Sequence, residues 1–424
     1  MKEKILCMVD KFFPDASANT ICCKHVMDCL KNKGYQVDVL SVKQSANDVF
    51  LEVQDGSRVI KLENYQSKFL KHFGKCFKAN KWHEVPGIVR KVLGGIYSLK
   101  GMFREKTNYV ALDSLSYSNI YKQITKVENK YDIIISFCMP FTWNVIAYNM
   151  MKKGLADRWY SILLDAYVHN KTLNPSKINY RKKLENTYLS KANYVFVADG
   201  TIEENMRQGY IPDFAEKLLQ IHLPVLTESK KQSTVKKEKN KKTSLVYTGH
   251  FYDQIRNPEK MLDILSHLEK DNEIRIFGDG CEEIIENKKQ LFKDGNFLFG
   301  GRISHKQCLE EVDGADILIN LGNTVTNQMP SKIFEYISYG KPIINFYFTE
   351  EDMCLKVFEK YPLVYSINLN DYNETHIEEL KKFIEKNKRK QLDYDSATKD
   401  LKEYRVENIV EQIYTQIKKD EQKK

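Results

Sequence analysis

The 424-residue sequence lacks long hydrophobic runs, paired-cysteine motifs and short regular repeats. No stretch approaches the roughly 18 consecutive apolar residues of a membrane-spanning helix, so none is expected. The apolar run near the start ends at Asp10 and is too short for the hydrophobic region of a signal peptide. The nine cysteines include no CxxC pair, which indicates reduced, mostly buried thiols and argues against a disulfide framework or a structural metal. These absences predict a cytoplasmic protein.

Positive charge is concentrated in two segments. The formal net charge of +9 comes from 66 basic and 57 acidic residues. Residues 61–106 hold eleven Lys or Arg against three Glu, and residues 228–242 hold seven Lys against two Glu. In the first segment apolar and aromatic residues interleave with the cations, which suits contact with an anionic membrane surface. We expect peripheral attachment at the inner face of the cell membrane; the alternative is a set of packed helices with a solvated basic face.

Short apolar runs alternate with helical patterns, which predicts α/β domains with parallel sheets. Ser17 is a plausible cap for a helix that extends to Lys33. We predict a Rossmann-like domain over 1–226, a basic linker over 227–243, a second Rossmann-like domain over 244–395 and a helical tail over 396–424 that packs back towards the first domain. The expected strands are 5–9, 35–42, 132–137, 160–165, 194–198, 244–248, 273–277, 296–299, 316–321, 342–346 and 363–367.

The run PSKIFEYISYGKPII, residues 330–344, carries the clearest binding signal. Pro330 and Ser331 open a predicted helix just after a buried strand, where ligands of open α/β sheets bind. The N–H groups of Ser331 and Lys332, with the Lys332 ammonium, would suit a diphosphate. Glu335 lies one turn further on and could accept hydrogen bonds from ribose hydroxyls. The alternative is an ordinary capped helix with both charged side chains in solvent.

Three other predicted strands end in loops of similar character. Gly249 would allow close backbone approach in GHFYDQIRNP, and Arg256 in the same loop supplies a cation near a helix start; the alternative is a turn with a surface arginine. GDG, residues 278–280, follows the next strand, and GGRISH, residues 300–305, follows the one after. Four successive strand ends of this kind favour a nucleotide along one sheet edge.

The order of YTGHF, RNP, FGDG, GGRISH, ADILINLGN and PSKIFEYISYGKPII resembles the C-terminal domain of GT-B retaining glycosyltransferases, the large family four (glycosyl transferases group 1), over about residues 245–346. The opening VDKFFPDASANT resembles that family's first loop. The resemblance implies two Rossmann-like domains facing a central cleft, with the nucleotide on the C-terminal domain, its base between the turns at Gly278 and Arg302, and no metal requirement.

The resemblance also implies an activity. A sugar would move with retention from a nucleoside-diphosphate sugar, most of all a UDP-sugar, to a glycan or lipid-linked acceptor, in cell-surface polysaccharide synthesis. Glu335 matches the second acid of the family's E-x7-E motif, whereas Asn327 stands where the first acid is expected; asparagine can still bond sugar hydroxyls. The family's Arg-and-Lys pair falls on His250 and Arg256, of which His250 has the alternative of an ordinary loop histidine.

Candidate residues in the first half lie at two strand ends. Ser17 and Asn19, in the loop 14–19, would close over the diphosphate; the alternative is that they only cap the helix. In ILLDAYVHN, Asp165 and His169 follow a strand, where acceptor-binding and polar catalytic groups lie in similar enzymes. The alternative is a structural aspartate and a surface histidine. Neither is assigned as a general base, because catalysis would rest on stabilising the leaving diphosphate.

Two other functions remain open from the sequence. One is a GT-B nucleotide-sugar epimerase, which shares the architecture and lacks the acceptor site. The other is a basic membrane- or nucleic-acid-binding protein with a vestigial site. The local confinement of the charge and the lack of recognisable nucleic-acid modules count against nucleic acid as a partner.

Overall fold

The computed structural model describes residues 3–14, 16–104, 123, 130–170, 173–229, 242–325 and 328–422, the side chains of 97–104 excepted. The chain forms two compact units. Unit 1 contains Met1–Pro224 and Ile409–Lys424, and unit 2 contains Val225–Asn408. The predicted tail therefore divides, its first part belonging to unit 2 and its last part to unit 1.

Unit 1 is built on an eight-stranded sheet in the order β3-β4-β2-β1-β5-β6-β7-β8. Its pairings are parallel except that β3 runs antiparallel to β4. The elements are β1 (Lys4–Met8), α1 (Ala18–Asn32), β2 (Gln36–Val42), β3 (Leu51–Gln54), β4 (Ser57–Leu62), α2 (Tyr65–Phe73), α3 (Gly87–Arg104), β5 (Tyr131–Cys138), α4 (Thr142–Lys152), β6 (Ala156–Leu163), α5 (Ile178–Leu189), β7 (Tyr194–Ala198), α6 (Thr201–Arg207) and β8 (Leu218–Ile221).

Unit 2 is built on a six-stranded parallel sheet in the order β11-β10-β9-β12-β13-β14. The elements are β9 (Thr243–Thr248), α7 (Glu259–Ser266), β10 (Asn272–Phe277), α8 (Glu282–Lys288), β11 (Phe297–Gly301), α9 (His305–Gly314), β12 (Ile317–Leu321), α10 (Lys332–Ser338), β13 (Ile343–Tyr347), α11 (Met353–Phe358), β14 (Val364–Asn368), α12 (Glu374–Asn387) and α13 (Tyr394–Ala397). A last helix, α14 (Val406–Glu421), leads out of unit 2 into unit 1.

The predicted strands all occur, with ends shifted by a few residues. The predicted parallel sheets are confirmed; the strands β3, β4 and β8 were not predicted, and β3 pairs antiparallel. Strand β3 is a four-residue edge strand without a buried side chain. Its Leu51 and Val53 alternate with polar residues over too short a stretch to indicate a strand. Strand β8 is also four residues long and has one buried side chain, Ile221. Central strands such as β1, in contrast, are almost continuously buried, as sheets covered on both faces require.

Helix α14 belongs to the core of unit 1. Its side chains Ile409, Val410, Ile413 and Ile417 are all fully buried. Polar contacts add to this packing, because Asp420 accepts a hydrogen bond of 2.9 Å from the Tyr160 hydroxyl. The apolar positions recur every three or four residues, so one face of an otherwise charged helix is buried. None of the helices in the described ranges is long and apolar enough to cross a bilayer.

Replacing Ile413 by Ala is expected to lower the free energy of unfolding of unit 1 by about 2–5 kcal/mol, because it leaves a cavity between packed side chains. The three tryptophans, Trp82, Trp143 and Trp159, lie in unit 1. Urea denaturation followed by tryptophan fluorescence therefore measures the stability of this unit. The control is Gln412→Ala at the exposed neighbouring position, with a change within about 0.5 kcal/mol. Equal effects of the two substitutions would contradict the burial of this helix face.

Candidate functional site

The strand order of unit 2 reverses between β9 and β12, and the loops that follow these strands meet there. Arg256 in the first loop donates from Nε to Oδ1 of Asn323 in the second, at 2.9 Å. The Thr324 amide donates to the Ile255 carbonyl at 2.8 Å. Crevices at such reversal points are the usual ligand sites of open α/β sheets. The arginine is therefore held in place at the position where a ligand is expected.

The loops after β9 and β10 pack with almost no space between their backbones. A Cβ atom on Gly278 would lie 1.7 Å from the Gly249 carbonyl oxygen. Gly280 has a φ of +86°, and a Cβ there would lie 2.2 Å from the Phe251 oxygen. The prediction gave Gly278 a place beside a nucleotide base; its contact with Gly249 shows that loop packing by itself already requires glycine here.

Asp279, between these glycines, connects three loops. One carboxylate oxygen lies 2.6 Å from Nδ1 of His250, and the other accepts from Nη1 of Arg302 at 3.4 Å. The Arg302 side chain is 81% exposed, so its pairing with Asp279 contributes little stability and leaves the guanidinium accessible. His250 is thus oriented by a carboxylate, a partner that the sequence analysis did not identify.

The first turn of α10 is fixed against the end of β9. The Tyr336 hydroxyl accepts from the Thr248 amide at 3.0 Å and donates to the Thr248 carbonyl at 3.1 Å, in a buried environment. In the same turn Lys332 Nζ lies 2.8 Å from Oε1 of Glu335. The regular helix begins at Lys332, and Ser331 makes no side-chain capping bond. Lys332 and Glu335 therefore occupy a defined position at this sheet edge.

A buried aspartate supports the loop after β12 from behind. Asp352 is 3% exposed and accepts a hydrogen bond from the Cys354 amide at 2.8 Å. Burial raises the pKa of its carboxyl, and the positive charge of Arg256 opposes that shift. A Cβ on Gly322 would lie 1.8 Å from Oδ2 of Asp352. Only glycine therefore lets the loop lie this close to the carboxylate. Sequence reasoning missed Asp352, which lies 29 residues beyond Asn323 in the chain.

In unit 1 the strand order reverses between β1 and β5, and the predicted residues of the first loop lie there. Ser17 caps α1, donates to Asp10 Oδ1 at 3.3 Å and receives the Thr20 amide at 3.3 Å. Asn19 donates from Nδ2 to the Met139 carbonyl at 3.0 Å, which joins the loops after β1 and β5. The capping alternative is thus confirmed for Ser17, while a ligand role for either residue stays a prediction.

Two half-buried carboxyls lie at this edge of unit 1. Burial raises the pKa of Asp165, whose carboxyl accepts no hydrogen bond from the described residues. Burial also raises the pKa of Asp10, which was not predicted. An unpaired carboxylate of this kind is costly unless a ligand satisfies it, so Asp165 keeps its place among the candidate residues.

His169 is 9% exposed, so the alternative of a surface histidine is wrong. Burial lowers its pKa and favours the neutral imidazole. Behind it, burial raises the pKa of Glu185 to about 8, and its Oε2 accepts from the Tyr210 hydroxyl at 3.2 Å. The His169 ring lies 5.9 Å from the Tyr210 ring, measured between centroids, so His169 belongs to this buried polar group.

No protein-family model matches the sequence, and no curated protein matches it. Solved structures do match it. The sucrose-phosphate synthase from Thermosynechococcus elongatus is similar over 100% of both chains, with 12% identity and a TM-score of 0.62. Anabaena HepE in complex with UDP and glucose matches over 98% of this chain and 100% of its own, with 12% identity and a TM-score of 0.59. The lipopolysaccharide outer core galactosyltransferase WaaB, in its apo form, matches over 98% and 99%, with 14% identity and a TM-score of 0.53.

The chain has the GT-B fold. Full-length similarity and two α/β units with mainly parallel sheets establish this, and at these low identities the similarity describes the architecture. In this GT-B chain the structure brings nearly all predicted donor residues to one edge of unit 2; Asn327 lies outside the described residues. Within the described ranges no group of three or more His, Cys, Asp or Glu side chains is arranged to hold a metal ion.

Replacing Gly278 by Ala is expected to destabilise the packed loops of the GT-B C-terminal unit by about 1–3 kcal/mol, because the added methyl group collides with the Gly249 carbonyl. Hydrogen exchange of peptides from residues 244–301 measures this as faster exchange. Gly314→Ala is the control, since a Cβ at that helical position meets no atom within 4 Å. It should leave exchange unchanged or slow it slightly. Unchanged exchange in Gly278→Ala would contradict the close approach.

Proposed function

We propose that this protein is a retaining glycosyltransferase that takes its sugar from a UDP-sugar and uses no metal. The observation that carries the proposal is the arginine at the strand reversal of unit 2. Arg256 is held by Asn323, and Lys332 begins the helix that follows the second loop. Support for the nucleotide comes from HepE, whose structures hold UDP, UDP and glucose, or UDP-glucose. Cations at this position are what a leaving diphosphate requires.

The donor would be bound by groups with separate tasks. The Arg256 guanidinium uses Nε for Asn323, and Nη1 makes a long 3.5 Å contact with the His250 carbonyl. On donor binding the Nη groups would exchange that contact for the forked contacts that suit phosphate. Lys332 adds a second cation, and Glu335 accepts hydrogen bonds from the ribose hydroxyls. His250 and Arg302, oriented by Asp279, lie on the neighbouring loops at the same sheet edge, with Arg302 beside the base.

The acceptor would be bound at the carboxyl edge of unit 1, with Asp165 accepting a hydrogen bond from its reacting hydroxyl. The unpaired, half-buried carboxyl supports this assignment. Bond cleavage would depend on stabilising the departing diphosphate, and the acceptor oxygen would attack from the face that the diphosphate leaves. The configuration at the anomeric carbon is then retained. A glycan or lipid-linked acceptor in cell-surface polysaccharide synthesis is the proposed context.

UDP-sugars are expected to raise the melting temperature of the wild-type protein, because a bound donor stabilises the fold by mass action. GDP- and dTDP-sugars should raise it less. Arg256→Ala should abolish the shift, and Arg256→Lys should reduce it because the forked contact is lost. Arg389→Ala, at an exposed position of the same unit, is the control and should respond like the wild type. No shift with any nucleotide sugar would contradict the proposed donor site.

Asp165→Asn is expected to lower kcat by about tenfold or more while leaving the donor-induced melting shift intact, because a neutral amide makes a weaker hydrogen bond to the acceptor hydroxyl than a carboxylate does. It should also raise the stability of unit 1 at neutral pH. The pKa of Asp165 is raised on folding, so the native state binds its proton more tightly than the unfolded chain does, and stability is lost as the pH rises through the native pKa. The neutral amide removes that loss. Asp213→Asn, at an exposed position, is the control.

The measurements are transfer kinetics, tryptophan fluorescence in urea and NMR of the anomeric proton of the product. Unchanged kcat in Asp165→Asn would remove this residue from the acceptor site, and an inverted anomer would contradict retention. Conversion of the donor sugar without any acceptor would instead identify a nucleotide-sugar epimerase.

A further inference from the structure

One helix of unit 1 presents apolar side chains to solvent. On α3, Ile88 is 79% exposed, Val92 57% and Ile96 42%. These residues are spaced by four positions, so they form one stripe along the helix. Val89, on the adjoining side, packs on a small cluster with Leu70. The helix is therefore anchored on one side of its apolar face and uncovered by the described residues on the other.

The same cluster contains the aromatic side chains next to α3. The Phe69 ring lies 5.3 Å from Phe73, 5.9 Å from Phe77 and 5.7 Å from Trp82, measured between ring centroids. Phe73 is itself 54% exposed. Aromatic side chains packed edge to face and offset in this way hold α2 and the following turns together. The helix that carries the exposed stripe thus packs on an ordered aromatic cluster.

Basic residues outnumber acidic ones around the stripe: Lys71, Lys75, Lys78, Arg90 and Lys91 are exposed. Lys71 is paired with Glu63 at 3.7 Å. On a helical projection Lys91 lies on the flank of the apolar stripe and Arg90 nearly opposite it. The nearby Glu84 carboxylate is occupied by the amides of Asn80 and Lys81, at 2.6 and 2.9 Å.

We propose that this surface, the basic platform formed by α2 and residues 87–96 of α3, binds an anionic lipid bilayer. Helix α3 lies in the interface, with Ile88, Val92 and Ile96 among the acyl chains and the Lys and Arg side chains at the anionic headgroups. The inference goes beyond the proposed function, because it requires no nucleotide and no sugar transfer.

The positive charge and the aliphatic side chains of this surface favour a bilayer over a second copy of the chain or a nucleic acid. A second copy of the chain would bring the same cations together, and like charges oppose that contact. Single-stranded nucleic acid would need several exposed aromatic rings for stacking, whereas this surface exposes the Phe73 ring beside an aliphatic stripe. An aliphatic stripe on a surface rich in Lys and Arg complements a bilayer in both its apolar and its anionic parts.

The experiment is flotation of the full chain with vesicles of phosphatidylcholine alone and with phosphatidylglycerol added. The wild type should float with the anionic vesicles, and less so at high salt. The double substitution Ile88→Ser and Val92→Ser should lower the vesicle partition coefficient by about tenfold or more. The control is Met206→Ser with Ile211→Ser, which removes side chains 71% and 79% exposed. These lie near β7 and β8, at the other end of the sheet.

Retained flotation of the control together with loss in the Ile88/Val92 variant supports the proposal. Equal loss in both variants, or no flotation of the wild type, overturns it. Concentration-dependent dimerisation of the wild type that the Ile88/Val92 variant abolishes overturns it in favour of self-association. A second variant, Arg90→Ser with Lys91→Ser, leaves the apolar stripe intact and should weaken flotation with anionic vesicles. Unchanged flotation of that variant overturns the role of charge.

Discussion

The hydrogen bond from Arg256 to Asn323 is the contact on which the candidate site depends. The strand order of unit 2 reverses between β9 and β12, and such reversals are the usual ligand sites of open α/β sheets. A guanidinium in an open crevice would otherwise sample many rotamers. Bonding through Nε orients its plane, and Nη1 adds only a long 3.5 Å contact with the His250 carbonyl that a ligand would replace. The backbone bond from Thr324 to Ile255 holds the two loops at this spacing.

In unit 1 the loops at the strand reversal are joined by uncharged groups. Its loops diverge after β1 and β5, and the amide of Asn19 joins them by donating to the Met139 carbonyl. Two carboxyls lie at this edge: Asp10, which accepts a hydrogen bond from Ser17, and Asp165. Burial raises the pKa of both. Unit 2 thus carries cations at its reversal point and unit 1 carries acids, a division that matches binding of an anionic donor by one and of hydroxyl groups by the other.

Features with local causes were predictable from the sequence, and features with distant causes were not. Helix α1 was predicted because Ser17, its cap, and its apolar spacing lie within one segment. Strand β3 was missed because the alternation of apolar and polar residues in LEVQ covers only four residues. Asp279 was visible only as the centre of a weak GDG pattern, since its partners His250 and Arg302 are more than twenty residues away. For Gly278, the sequence pattern fits two explanations: close approach of a ligand, and close packing of the loop on Gly249. Both require a residue without a Cβ, so the pattern could not distinguish them.

The pairing of Lys332 with Glu335 bears on how a donor would bind. The two side chains are 30% and 18% exposed and lie one turn apart, so their attraction is of the order of 1 kcal/mol or less. A diphosphate carries more charge than one carboxylate and makes stronger charge-assisted bonds. Exchange of partners by Lys332 would therefore cost little, and it would release Glu335 for the ribose hydroxyls. The next residue, Tyr336, anchors the start of this helix to Thr248. The pair keeps both groups near their working positions, which lowers the entropy lost when the ligand arrives.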